Sequence, residues 1–398
     1  MKFAYFVRPH IGGTYTVFKQ LREGLANFGI EICWLAMGHS ETRNDPMWFP
    51  ELAFGTSIDT SDLHTERDQA KALAAALIQG GYNGVFINVL SDLVPTNIAR
   101  YLPENIMRIM IVHNITPGTY AAAVAIRDHV HATVAVSERC CRDLVEKYKF
   151  SKERTCVIPN AINPEIFRAN ARKPSDETKL RMIFLGRIED ASKGVFWLPG
   201  IMGKLPESVS LTVAGNGPDL EKLKRNMVPY ENRVAFLGAV PPSHIPDLLL
   251  GHDVLIMPSR FEGYPLTLIE AMAAGCVPIV SRIQGVTDTI VTHGFNGFLF
   301  PVGGRREAAG IVSRLCVQPG LLASVSAAAR SVAEQAFTLD GMAHRYYDVI
   351  NRVGQEKPCI SAQLDLDAWS IPSGFRPGLR AYVPRPIKNW LRIVLERV

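Results

Sequence analysis

A chain of 398 residues is long enough for two domains of ordinary size, each with its own core. With 47% hydrophobic and 20% charged residues, no apolar run near the roughly 18 residues that span a bilayer, and no leader features from Met1 to Val7, the sequence excludes disorder as its main state and reads as cytoplasmic. The 43 Lys plus Arg against 38 Asp plus Glu leave a charge of +5, which suits an anionic ligand or surface and does not call for nucleic acid.

The first half alternates short apolar runs with longer helical patterns, the signature of a parallel sheet covered by helices. Strands are expected at 3–7, 30–35, 85–88, 108–112, 133–136 and 155–158. Helices are expected at 14–28, 66–78, 119–129 and 137–148, the last opened by Ser137 as an N-cap. A polar stretch from Asn170 to Lys179, with Pro174, Ser175, Asp176 and Glu177, has the composition of a linker. A second series follows, with strands expected at 181–185, 210–214, 234–237, 254–257, 277–280 and 298–300. Two such series suggest two Rossmann-like domains facing a cleft.

Near the C terminus, Ile387, Trp390, Leu391, Val394, Leu395 and Val398 form an apolar stripe at helical spacing, with Lys388, Arg392 and Arg397 off it. Such an amphipathic helix either packs back on the protein or lies on a membrane surface. The basic set Arg139, Arg142, Lys147, Lys149, Lys152 and Arg154 offers a second membrane-facing reading beside that of a solvated face. The seven cysteines include no C-x-x-C pair, so neither a disulfide framework nor a zinc site is expected. The vicinal Cys140 and Cys141 read as helix packing.

Several stretches carry chemistry. The first strand runs into Gly12 and Gly13 and then a helix, which exposes N–H groups at a positive helix end. No G-x-G-x-x-G fingerprint is present, and Gly215-Asn216-Gly217-Pro218 does not complete one, so a nicotinamide or flavin cofactor lacks its usual residues. Arg187 follows the strand at 181–185, with Lys193-Gly194 six residues on. A guanidinium that forks onto two oxygens and an ammonium acting as a point charge suit a diphosphate. From Met257 to Gly275, a buried strand leads through a loop bearing Glu262 into a helix bearing Glu270. A carboxylate accepts from two hydroxyls at once, so Glu270 suits a ribose diol, and the free N–H groups of Leu266 and Thr267 suit phosphate oxygens.

In this order these residues resemble the retaining, nucleotide-sugar-dependent glycosyltransferases of family 4. The resemblance rests on Phe184-Leu185-Gly186-Arg187 with Lys193-Gly194, on Val213-Ala214-Gly215-Asn216-Gly217-Pro218, on Glu262 and Glu270, and on Gly294-Phe295-Asn296-Gly297-Phe298. Val136-Ser137-Glu138 and the segment from Val157 to Asn163 add to it in the first half. The resemblance implies the GT-B fold: α/β, with two Rossmann-like domains whose parallel sheets face an interdomain cleft. Residues 1–170 would form the acceptor-side domain and 171–355 the nucleotide-sugar-binding domain. Residues 356–398 would form an extension whose amphipathic helix packs back on the N-terminal domain.

The same resemblance implies that Arg187 and Lys193 bind the donor diphosphate and that Glu270 binds its ribose. Gly215, Leu266 and Thr267 are implied as further donor contacts, Glu262 lies near the transferred sugar, Gly13 brings its backbone close to donor or acceptor, and His113 faces the donor sugar. The donor is expected to be a UDP- or GDP-sugar, acting as co-substrate with no cofactor. Departure of a nucleoside diphosphate builds negative charge on phosphate, which Arg187, Lys193 and helix-start N–H groups would stabilise, so no metal is required. Asp365-Leu366-Asp367 forms a D-x-D but lies outside both expected sheets. Tyr264, Pro265 and Asp288 depart from the family's commoner residues and bear on sugar identity. The expected activity is hexosyl transfer to a hydroxyl of a glycan, lipid-linked saccharide or small molecule. An epimerase or phosphorylase on the same scaffold, or a non-catalytic nucleotide-sugar binder, stands as the alternative.

Overall fold

A computed structural model of the chain describes residues 1–38, 46–89, 93–168 and 179–376, with 383, 384, 387 and 390 of the tail. Most of the expected linker, residues 39–45 and most of the expected tail helix lie outside the described residues. Two compact units result, one of Met1–Asn160 with the returning segment that starts at Leu339, the other of Ala161–Thr338.

The first unit is built on seven parallel strands: β1 (Lys2–Phe6), β2 (Glu31–Met37), β3 (Gly55–Ile58), β4 (Gly84–Asn88), β5 (Met107–Val112), β6 (Ala132–Ala135) and β7 (Thr155–Val157), in the order β3-β2-β1-β4-β5-β6-β7. Every residue of β4 and β5 is buried. A parallel strand with helices on both faces is predominantly apolar, which is why Gly-Val-Phe-Ile-Asn and Met-Arg-Ile-Met-Ile-Val read as strands at sight despite Asn88 and Arg108. The short edge strand β3 escapes that logic. Its sequence Gly-Thr-Ser-Ile is only partly buried, and it follows a 3-10 helix over Pro46–Phe54. Gly55 permits the pairing with β2, because a Cβ there would stand 2.1 Å from the Trp34 carbonyl oxygen.

Capping sets the helix starts. Thr65 accepts from the Asp68 N–H ahead of the Glu66–Gln79 helix, Thr116 accepts from Thr119 ahead of Pro117–Ile126, and Ser137 accepts from Cys140 ahead of Glu138–Arg142. The stretch expected as one helix over 137–148 changes to a π turn at Asp143–Lys147. Asp143 is buried there, where its Oδ2 accepts from the Tyr120 hydroxyl at 3.0 Å and its Oδ1 forms an ion pair with Lys147 at 2.7 Å.

The second unit carries six parallel strands: β8 (Leu180–Leu185), β9 (Val209–Ala214), β10 (Val234–Gly238), β11 (Val254–Met257), β12 (Val277–Ser281) and β13 (Phe298–Phe300), in the order β10-β9-β8-β11-β12-β13. In both sheets the order reverses beside the first strand, between β1 and β4 and again between β8 and β11. Loops leaving the carboxyl ends of those two strands splay to opposite sides and open a crevice.

The units divide at Asn160/Ala161 and Thr338/Leu339, not at 170/171 and 355/356. On one side, the Ile162 N–H donates to the Phe337 carbonyl at 2.9 Å and Phe167 is buried in the second core. On the other, the Leu339–Glu356 helix packs on the Gly13–Ala26 helix. Gly24 lies so close to Ala343 that a Cβ would meet it at 2.7 Å, and Phe28 stacks on Tyr347 at 4.3 Å. Periodicity marks such a helix but not the sheet it covers. Residues 357–376 also lie on the first unit: the Leu364 N–H donates to the Arg100 carbonyl, and Trp369 lies 4.5 Å from Tyr101. Asp367 pairs with Lys71, and Asp365 caps the short helix of the D-x-D segment. Several cations of the expected basic face have partners within the unit: Arg139 and Lys147 meet Asp143, and Arg154 donates to the Cys359 carbonyl. Among the described residues, no single helix is long and apolar enough to cross a membrane.

Candidate active site

The crevice of the second unit gathers the charged residues singled out from sequence. β8 ends at Leu185, and Gly186 (φ 151°) turns the chain toward Arg187 and the short helix Asp190–Lys193. β11, which pairs with β8, ends at Met257 and leads through Ser259, Arg260 and Glu262. These adjacent strands bring together residues about seventy positions apart. Lys193 Nζ donates to Glu262 Oε1 at 2.7 Å, and the Ser259 hydroxyl donates to the same oxygen at 2.6 Å. Glu262 is only 7% exposed, so its charge is held by these two donors, and its other carboxylate oxygen has no hydrogen-bond donor among the described residues. Arg187 is exposed and has no ion-pair partner among the described residues.

The backbone of this crevice is tight. Gly215, at φ 138°, donates its N–H to the Gly238 carbonyl at 2.7 Å, and a Cβ on it would stand 1.9 Å from the Gly186 oxygen. Gly194, at φ 61°, would place a Cβ 2.1 Å from the Pro258 oxygen. Both glycines are therefore required by close approach of neighbouring loops as well as by φ.

The helix Leu266–Ala273 starts directly after Pro265, which provides no side-chain cap. Leu266 and Thr267 thus keep first-turn N–H groups with no intramolecular acceptor among the described residues, an arrangement suited to an anion. Glu270, one turn on, is partly buried, and its carboxylate has no hydrogen-bond donor among the described residues. Burial pushes it up to about 7. A partly dehydrated carboxylate lacking a partner is a ready acceptor for hydroxyl donors.

Gly13 and His113 belong to the first unit. Gly13 is the first residue of the helix after β1, as its position in the sequence suggested. His113 follows β5, and its Nε2 lies 2.8 Å from Asn88 Oδ1. Buried Asn88 donates its amide to the Phe6 carbonyl at 2.9 Å, so its oxygen faces the imidazole and His113 Nε2 carries the proton. Nδ1 is then an acceptor. Burial pulls the His113 pKa down to about 4, so the ring is neutral at physiological pH. Asn88 also lines a cavity of about 620 Å³ at the carboxyl edge of this sheet, together with Arg8, His10, Glu66 and Gln69.

Ser259, Arg260 and Asp190 are the site residues that sequence reasoning missed. Ser259 and Arg260 sit inside the stretch read for its glutamates, but their partners are invisible without the strand order. Arg260 donates to the Asp190 carbonyl at 2.7 Å and to its carboxylate at 2.8 Å.

Residues 166–332 match the family described as Glycosyl transferases group 1, and residues 11–166 match Glycosyltransferase Family 4. The phosphatidylinositol N-acetylglucosaminyltransferase gpi3 subunit of Schizosaccharomyces pombe is 28% identical over 171 residues, covering 41% of this chain and 37% of that protein. A putative glycosyltransferase, EpsF, of Bacillus subtilis is 26% identical over 243 residues, covering 56% of this chain and 57% of its own. The matched region is thus less than two thirds of these relatives' length. Among solved structures, Anabaena Alr3699/HepE in complex with UDP and glucose superposes with a TM-score of 0.74 at 17% identity, covering 88% of this chain and 99% of that one. Sucrose-phosphate synthase from Thermosynechococcus elongatus gives 0.74 at 17% identity, covering 89% and 99%. The fold they share with this chain is GT-B.

Proposed function

The chain belongs to the group 1, family 4 glycosyltransferases of the GT-B fold, and from that premise we propose that it transfers a hexose from a UDP- or GDP-sugar to an acceptor hydroxyl with retention of anomeric configuration. The observation that carries this reading is the Lys193–Glu262 pair that joins the loops after β8 and β11, in the stretches that also bear Arg187 and Glu270. The diphosphate would lie against Arg187, Lys193 and the N–H groups of Leu266 and Thr267, with Gly215 beside it. The ribose diol would donate to Glu270.

In the reaction the bond between the anomeric carbon and the β-phosphate oxygen breaks, and a bond from that carbon to the acceptor oxygen forms on the same face. The acceptor proton passes to the departing phosphate. Charge grows on the phosphate, where each fixed donor contributes roughly 3 kcal/mol to the barrier reduction. Glu262, ionised and held by Lys193 and Ser259, would face the cation-like sugar. Gly13 and His113 are assigned to the sugar and acceptor, with neutral His113 accepting at Nδ1. With two cations and a helix start to balance the diphosphate, the reaction is proposed to proceed without metal, so activity should survive excess EDTA.

Thermal shift with UDP, GDP and ADP identifies the base, and calorimetry on Arg187→Ala and Glu270→Ala tests the site. Loss of binding in both variants is expected. Undiminished binding in both overturns the reading.

A further inference from the structure

We propose that Arg260 and Asp190 form a positioning clamp that fixes Lys193 and Glu262 for the nucleotide, an inference that rests on the donor site proposed above. Arg260 is 5% exposed and Asp190 9%, so neither presents itself to a ligand. The Arg260 Nε donates to the Asp190 carbonyl at 2.7 Å, its Nη2 donates to Asp190 Oδ2 at 2.8 Å, and its backbone N–H donates to the Ser192 carbonyl at 2.7 Å. The guanidinium also lies 4.0 Å from the centre of the Trp197 ring. Arg260 is thereby fixed in plane and direction.

Asp190 is fully committed on its side. Its Oδ1 accepts from the Phe196 N–H at 3.0 Å, and its own N–H donates to Asp219 Oδ2 at 2.8 Å. The clamp therefore joins the loop after β11 to the turn after β8. Lys193 stands three residues past Asp190, and Glu262 two residues past Arg260. Movement of either loop would change the Lys193–Glu262 distance, and with it the place at which an ammonium can meet a phosphate oxygen.

Burial of an ion pair is a poor way to gain stability, because desolvation offsets most of the attraction. What a forked guanidinium supplies is angular definition, which an ammonium at the same place does not. Arg260→Lys keeps the charge and loses the fork. Asp190→Asn keeps the shape and the acceptor for Phe196 but loses the charge.

The test measures the affinity of these two variants for whichever of UDP, GDP and ADP the unaltered protein binds, each alone and combined with Lys193→Met, with melting temperatures alongside. Each single variant should bind the nucleotide several-fold more weakly, by no more than the loss that Lys193→Met itself causes. In the Lys193→Met background neither should cause a further loss, because the group being positioned is gone. A contact that merely stabilises the fold would lower affinity equally in both backgrounds. Equal further losses, or unchanged affinity in both single variants, overturn the clamp and leave the nucleotide site standing. No binding of any of the three nucleotides by the unaltered protein overturns both.

Discussion

Lys193 Nζ and Glu262 Oε1 are 2.7 Å apart, an ion pair between a half-buried ammonium and a buried carboxylate. A diphosphate entering this crevice must share Lys193 with Glu262, whereas Arg187 is uncommitted. The two cations therefore differ in what their removal does.

Arg187→Ala should weaken nucleotide binding by about 1.5–3 kcal/mol, roughly 10- to 100-fold, with little change in stability. Lys193→Met should weaken binding less and destabilise the fold more, since it leaves Glu262 with only the Ser259 hydroxyl. Calorimetry with urea unfolding checks the order. A larger stability loss in the Arg187 variant would contradict it.

Glu270 links pH to both stability and binding. Its carboxyl is raised from 4.5 to about 7 by burial, so the folded protein favours the neutral form. Stability contributed by that preference is full below pH 4.5 and is lost as pH rises through 7. Glu270→Gln should therefore raise the melting temperature at pH 8 and leave it nearly unchanged at pH 4. Nucleotide affinity of the unaltered protein should climb with pH across 7, as the carboxylate proposed to accept the ribose diol forms. A flat affinity profile between pH 6 and 8 would count against Glu270 as the ribose acceptor.

His113 shifts the opposite way. Its pKa falls from 6.5 to about 4, so the neutral ring is preferred in the fold; the associated stability is present above pH 6.5 and is lost as pH drops toward 4. A nuclear magnetic resonance titration should show no His113 transition between pH 5.5 and 8. A midpoint near 6.5 would remove the argument for an imidazole that accepts at Nδ1.

Gly215→Ala combines a positive φ with a contact of 1.9 Å from Cβ to the Gly186 oxygen. It should cost at least about 1–3 kcal/mol in denaturant unfolding and weaken nucleotide binding by displacing the turn that carries Arg187. An alanine variant with unchanged stability would show that the two loops separate easily.

Chain chemistry made much of this protein legible. β11, with the sequence Val-Leu-Ile-Met, and β5, apolar but for Arg108, declare themselves because strands buried on both faces are predominantly apolar. Pro265 and Gly275 bracket the glutamate-bearing helix because one restricts φ and the other accepts φ 76°. β3 was hidden because its half-exposed Gly-Thr-Ser-Ile has no such pattern. The switch from helix to π turn at Asp143 was hidden because the buried partner of that carboxylate, Tyr120, is a tertiary neighbour.

The two βα series and the residue types at their strand ends are written in the linear chain, since hydrophobic periodicity and turn chemistry act over a few neighbouring positions. Which strand ends adjoin, the contacts of Lys193 with Glu262 and of Arg260 with Asp190, and the return of the Leu339–Glu356 helix to the first unit emerge on folding in three dimensions. Those outcomes depend on strand order and on surfaces such as Gly24 against Ala343, where residues far apart along the chain must fit in space.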